Sequence, residues 1–174
     1  VVMWKSQLTG RAAELLSQDN QDELYANEPG LWGYFVRGAP AMLTENIQPT
    51  KFLVNGACGH MHSRTFSESV PMDVIDNVNR PGYKLIELDE APLAINFQLE
   101  MPEDDDKDGI ESLVDDAIVV PILLSKHSQS YVTSSLFACQ KAVPKPLRFR
   151  GHAITLAFAV TDFKLQGKTK NELI

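Results

Sequence analysis

Gly167-Lys168-Thr169, set behind the apolar run Leu156-Ala157-Phe158-Ala159-Val160, has the ending of a phosphate-binding loop. In that motif, G-x-x-x-x-G-K-[ST], bare backbone N–H groups wrap a phosphate after a buried strand. Its first glycine would fall at residue 162, which is Asp162, and a carboxylate with a Cβ sits badly where the backbone must curl around an anion. The run still reads as a strand that stops at Thr161 and delivers Lys164, Gln166, Gly167, Lys168 and Thr169 to a site. A second constellation places Asp104, Asp106, Asp108 and Gly109 at positions 1, 3, 5 and 6 of a calcium-binding loop, with Asp115 at position 12. Position 12 asks for Glu, Glu111 occupies the apolar position 8, and Pro102 interrupts the entering helix, so a solvated acidic loop explains the run better. In a third, Cys58, His60 and His62 alternate, which on a strand points all three the same way, the minimum geometry for a transition metal. No fourth ligand is predictable nearby, and no metal is assigned. His127 and His152 have no recognisable partner, and no Ser-His-Asp, Cys-His or paired-carboxylate arrangement emerges.

The elements that must position these residues are mostly strands. Leu8, Ala12, Leu15 and Leu16 predict a helix over Arg11 to Ser17 with Thr9 as N-cap, followed by a polar break at Gln18 to Asp22. Glu28-Pro29-Gly30 predicts a turn, and Trp32, Tyr34 and Phe35 mark packed core in Leu31 to Val36. Ala41 to Thr44 is a short strand entered through Gly38 and Pro40. Asn55-Gly56 is the strongest short hairpin signal, because both residues tolerate the positive φ of a tight primed turn, and Gly59 permits a bulge or a close backbone approach. Further strands are expected at Cys58 to Phe66, Tyr83 to Leu88, Leu93 to Leu99, Ala117 to Leu124, Tyr131 to Ala138 and Ala153 to Thr161. The expected class is therefore mainly β with minor α (α+β), with a small barrel inserted in a larger sheet.

A length of 174 residues suffices for one good core, or for a small domain carrying an inserted one. No run approaches the roughly eighteen apolar residues that span a bilayer, and no signal peptide opens the chain, so an intracellular setting without a membrane partner is expected. Cys58 and Cys139, with no C-x-x-C, suit reduced thiols. Val1 in place of an initiating Met leads us to expect a piece of a longer polypeptide. The net charge of −7 argues against generic nucleic-acid binding, yet it is unevenly placed. Residues 141–170 carry Lys141, Lys145, Arg148, Arg150, Lys164, Lys168 and Lys170 against Asp162 alone, a local balance of +6 that leaves −13 for the rest. A one-sided polyanion contact needs such asymmetry, and a solvated basic face would produce it too. Arg148 and Arg150 alternate with Leu147 and Phe149, so on a strand they share one face, along which a backbone phosphate could lie.

Ala159-Val160-Thr161, Lys164, Gln166-Gly167 and Thr169 match, in order and spacing, the fifth motor motif of superfamily 1 DNA helicases in the RecD-like, petite-integration-frequency branch, which reads Ala-Val-Thr-x-His-Lys-x-Gln-Gly-x-Thr. Residues 38 to 59, Gly-Ala-Pro-Ala-Met-Leu-Thr-Glu-Asn-Ile-Gln-Pro-Thr-Lys-Phe-Leu-Val-Asn-Gly-Ala-Cys-Gly, resemble the block G-x-P-V-M-L-x-x-N-x-x-x-x-x-L-x-N-G-x-x-G that precedes that motif in those chains. With Val120-Pro121-Ile122 and Pro146-Leu147, the resemblance covers most of residues 34 to 174, loosely in the middle. It implies part of a RecA-like sheet carrying an inserted Src-homology-type barrel. Residues 1–55 would form the N-terminal helix and first strands of the motor domain, 56–145 the barrel with its acidic loop, and 146–174 the return strand with the fifth motif. Thr161 and Lys164 would grip the phosphates of single-stranded DNA, with Arg148 and Arg150 beside them, while Gln166 and Gly167 would couple to ATP. ATP and Mg²⁺ would belong to the full-length protein, the rest of the parent helicase would be the protein partner, and a nuclear setting follows from the family alone. Phe163 stands where the family carries His and Leu165 where it often carries Ser; no complete phosphate loop and no final arginine motif are present. Those departures leave a second reading, a non-enzymatic β-barrel interaction module on a degenerate helicase scaffold.

Overall fold

The computed structural model describes residues 1–71, 74–76, 84–101, 110–115, 117–125, 129–131 (as backbone) and 147–158. Their architecture is mainly β with short helices. The strands are β1 (Val2–Lys5), β2 (Gln7–Thr9), β3 (Trp32–Phe35), β4 (Pro40–Leu43), β5 (Cys58–Thr65), β6 (Ile86–Leu88), β7 (Ala94–Leu99), β8 (Val119–Leu123), β9 (Gln129–Tyr131), β10 (Leu147–Arg150) and β11 (Ile154–Leu156). They form three sheets, ordered β3-β1-β6, β2-β10-β9 and β11-β4-β5-β7-β8. Among the described residues only the β1–β6 pair is parallel.

The five-stranded sheet is antiparallel throughout. It takes β4 from before residue 56 and β11 from after residue 145. Its centre is β5, and the neighbouring inner strand β7 carries the fully buried Ile95 and Phe97; burying a ring of that size contributes about 1.5–3 kcal/mol. Asn96, also buried, donates from its amide to Ser63 Oγ at 2.9 Å and Thr65 Oγ1 at 3.3 Å on β5, so its polar head is satisfied across the strand pair. Pro121 lies in β8, an edge strand, where the missing N–H breaks no inner ladder. The expected closed barrel is not formed among the described residues: edges β8 and β11 share no ladder and meet only through an isolated bridge, Leu124 to His152, with Ser125 N–H donating to Gly151 O at 3.0 Å. The main core joins this sheet to β3-β1-β6 through Val2, Trp4, Phe35, Leu43, Met61, Phe97 and Ile122.

The helices depart from the sequence expectation. α1 (Arg11–Glu14) is a single turn with Gly10, not Thr9, at its N-cap; Thr9 belongs to β2. The supposed polar break is the longer helix α2 (Gln18–Asn27). Ser17 Oγ accepts from Asn20 N–H at 3.3 Å, Asp19 stands in the first turn where the helix dipole favours an anion, and Gln18 bonds Asp22 one turn on. Apolar periodicity cannot reveal such a helix, since only Leu24 and Tyr25 are buried. These two, with Leu31 and Leu147, make a second core beneath the β2-β10-β9 sheet. The Glu28-Pro29-Gly30 turn becomes a 3-10 turn over Pro29–Leu31. β1 and β2 were not expected as strands, whereas Leu147 to Arg150, with their strand-like alternation, do form β10.

Candidate nucleic-acid interface

The first half of the 38–59 block supplies β4, and the 156–169 segment begins at the end of β11. These two strands lie side by side in antiparallel register, Ile154 with Leu43, Thr155 with Met42 and Leu156 with Ala41. Ala157 N–H continues the ladder to Pro40 O at 2.9 Å. On its other edge β4 pairs with β5, Ala41 opposite Gly59. Gly59 has no room for a side chain: a Cβ there would strike the Gln98 carbonyl oxygen and come within 2.6 Å of the buried Phe97 ring.

Asn55 and Gly56 are central in a turn closed by Ala57 N–H to Val54 O at 2.9 Å. Gly56 has φ 86, whereas Phe52 is the one non-glycine residue with positive φ among those described. The turn thus follows the type II pattern, glycine third, and not the primed pattern that needs positive φ at both positions. It ends the connection over residues 44–57 between β4 and β5 rather than making a two-residue hairpin. Asn46 Oδ1 accepts from Asn55 N–H at 2.8 Å and ties its base together.

Arg148 and Arg150 stand on β10 opposite Thr9 and Gln7 of β2. Leu147 and Phe149 pack into the second core, so alternation turns the two arginines to the other face, with Gln7 and Thr9. Arg148 is exposed and Arg150 half-buried, and the Arg150 Nε is buried with no hydrogen-bond acceptor. Only Gly151 to Ala153 separate β10 from β11, so the arginines enter the same stretch of chain that leads to the motif. Thr161, Lys164, Gln166 and Gly167 lie outside the described residues, as do Thr169, His127, Cys139 and the acidic run 104–109.

Cys58, His60 and His62 all lie on β5, but the register shifts between Met61 and Ser63, at His62, which disrupts the alternation that would align the three. Their side chains already have other partners: the Cys58 thiol faces Gly56 O at 3.6 Å, His60 Nδ1 faces Glu100 Oε1 at 3.2 Å, and His62 Nδ1 faces Ser63 Oγ at 3.0 Å. Among the described residues no group of three His, Cys, Asp or Glu side chains could hold a metal ion.

Two groups carry electrostatics that the sequence did not single out. Arg64 lies over the Phe35 ring at 4.2 Å and the Phe66 ring at 5.7 Å. Burial, and then the like charge of Arg37, lower its pKa to about 10. The Arg64-x-Phe66 spacing at the end of β5 was the available signal. His152, expected to lack a partner, makes a T-shaped contact with Trp4, ring centroids 5.6 Å apart. Its Nε2 lies 3.0 Å from Pro92 O; a carbonyl only accepts, so Nε2 carries the proton and Nδ1 is the bare nitrogen, buried without a partner. Burial holds its pKa below the ordinary histidine value, against the opposing pull of hydrogen bonds to the backbone at Pro92 and Leu93.

No family model and no curated protein matches this chain. Among solved structures, the crystal structure of Pif1 helicase from Candida albicans is similar over 96% of this chain, with 18% identity and a TM-score of 0.44. The matched region spans 31% of that helicase. A likeness of this size says nothing of activity. Among the described residues no helix is long and apolar enough to cross a membrane.

Proposed function

We propose that this chain is the part of an ATP-driven DNA helicase that grips single-stranded DNA, within the second motor domain of its parent polypeptide. The observation that supports the reading is the β4–β11 pairing: the strand of the 38–59 block lies beside the strand that ends three residues before Ala159, which suits two segments that serve a common site. In this reading the Thr161 hydroxyl and the Lys164 ammonium contact the phosphate backbone, the first as a donor and the second as a point charge. Arg148 and Arg150 extend the contact along β10. Gln166 and Gly167 face the cleft between motor domains, where loss of the ATP γ-phosphate changes the grip. ATP and Mg²⁺ are held by the rest of the parent polypeptide: with Asp162 where a phosphate loop needs glycine, the chain supplies no complete cradle for a triphosphate, and no hydrolytic step is assigned to its residues.

Fluorescence anisotropy with a single-stranded oligonucleotide, titrated at two salt concentrations, tests the grip. Replacing either phosphate contact, in Lys164→Ala or Arg148→Ala, is expected to weaken binding and make the salt slope shallower by about 0.7. Affinity and slope unchanged in both variants would remove the DNA-gripping role. The non-enzymatic interaction module, which Phe163 and Leu165 favour, would then take its place.

A further inference from the structure

The three sheets meet at one place. Among the described residues β3 and β11 each form the edge of a sheet. Between them, against Phe149 of β10, lies a cavity of about 430 Å³, which falls in the range of small-molecule sites, roughly 300–1,000 Å³. Four aromatic side chains line it, Trp4, Trp32, Tyr34 and Phe149, and they include both tryptophans of the chain. Trp4 is 2% exposed and fixed in the main core, and Gly33 lies on it so closely that a Cβ there would strike the indole. Trp32 Nε1–H already donates to Tyr25 O at 2.8 Å, which leaves that ring to act by its apolar surface. The rim is open at Gly30, where a Cβ would meet nothing within 4 Å.

Charge selects the occupant. Among the described residues that line this cavity there is no Asp, Glu, Lys or Arg. Its polar groups are the hydroxyls of Ser6, Thr44 and Thr155 and the His152 imidazole, which burial biases toward the neutral form. A histidine perturbed in this way beside an aromatic cavity is a common mark of a binding site. The cavity of about 780 Å³ beside β2 is different, with Lys5, Glu14, Asp89 and Glu90 in its wall. A small cation, which aromatic rings attract, is opposed by the Lys5 ammonium, 5.8 Å from the Trp32 ring centroid, and an anion meets no charged donor among these lining residues. Flatness without charge is what the wall complements: rings pair offset or edge to face, while hydroxyls and an imidazole supply a few oriented hydrogen bonds. We propose that this junction of three sheets binds a small, uncharged, planar aromatic or heteroaromatic molecule among Trp4, Trp32, Tyr34 and Phe149. Such a site is independent of the DNA-gripping reading above.

Because both tryptophans line the cavity, intrinsic fluorescence reads it directly. The full chain is titrated with caffeine, which is flat and uncharged, with cyclohexanol, which is uncharged but not flat, and with benzoate and benzylammonium, which are flat and charged. Caffeine is expected to change the tryptophan emission saturably, with a Kd on the order of 1 mM, as a ligand of fragment size allows, and to raise Tm. The other three are expected to bind at least roughly tenfold more weakly. G30F sets a ring at the open rim and is expected to abolish the saturable change, whereas G30A, for which the space is open, is expected to bind caffeine as the natural chain does. Emission and Tm that stay unchanged up to the solubility limit of caffeine overturn the site, and so does binding of any of the other three as tight as that of caffeine. A G30F chain of unchanged Tm that still takes up caffeine overturns it as well. The comparison of ligands on the natural chain decides the matter even where G30F lowers Tm.

Discussion

Gly59 lies where three strands are hydrogen-bonded abreast, with Ala41 of β4 on one side and Leu99 of β7 on the other. The sequence allowed a bulge or a close approach there; the structure chooses the close approach, against Phe97 and the Gln98 carbonyl, and puts the register shift at His62 instead. Neither obstacle yields readily: one is backbone and the other a fully buried ring. Gly59→Ala is therefore expected to lower stability by about 1–3 kcal/mol, seen as a lower urea midpoint at unchanged slope; a neutral result would mean that the ring moves freely. Phe52 teaches the converse. No propensity argument marks a phenylalanine for a left-handed backbone, and only the folded loop shows that it adopts one.

At the scale of elements, apolar strands were the legible part. Alternation and β-branched residues marked the positions of β5, β7 and β8, while α2 was read as a break because its first six residues are polar and tertiary anchoring holds it. Tyr25 donates its hydroxyl to Ser6 O at 2.6 Å, and Lys5 lies 5.1 Å over the same ring with Asp22 3.5 Å away. The cap at Ser17 still has to satisfy the first turn. Ser17→Ala is expected to cost about 1 kcal/mol, a fall in Tm of about 2–4 °C, and Ser17→Asp should restore it. If thermal melts show no change, then the anchors at Leu24 and Tyr25 suffice to hold the helix start. Such a signal, Ser followed by Asp two residues later, was present in the sequence but carried no apolar stripe to draw attention to it.

At the scale of the whole molecule, His152 joins parts that the sequence keeps apart: it bridges Leu124 beyond β8, makes a T-shaped contact with Trp4 from another sheet and donates to Pro92 O. Its folded pKa is depressed, chiefly by burial. The unfolded chain therefore takes up a proton near the ordinary histidine value, about 6.5, while the folded chain does not. The linked stability is full above that pH and declines as pH falls below it toward the folded pKa. His152→Gln removes the titrating group, so the decline in urea-derived stability between about pH 7 and 5 should flatten, whatever its effect at pH 7. A profile as steep as before would assign the pH dependence to other groups.

The amino-acid sequence by itself determined the β-rich character, the locations of most central strands and the two motif blocks, because these depend on local alternation, turn chemistry and residue order. It also determined the uneven charge that marks one segment as basic. The tertiary structure decided that β4 and β11 are partners, that Arg148 and Arg150 turn away from the helix-covered core, that the large sheet does not close among the described residues, and that Phe52 has a left-handed backbone and an exposed side chain. Those outcomes depend on contacts between residues distant in the chain, and their energies exist only once the strands have met.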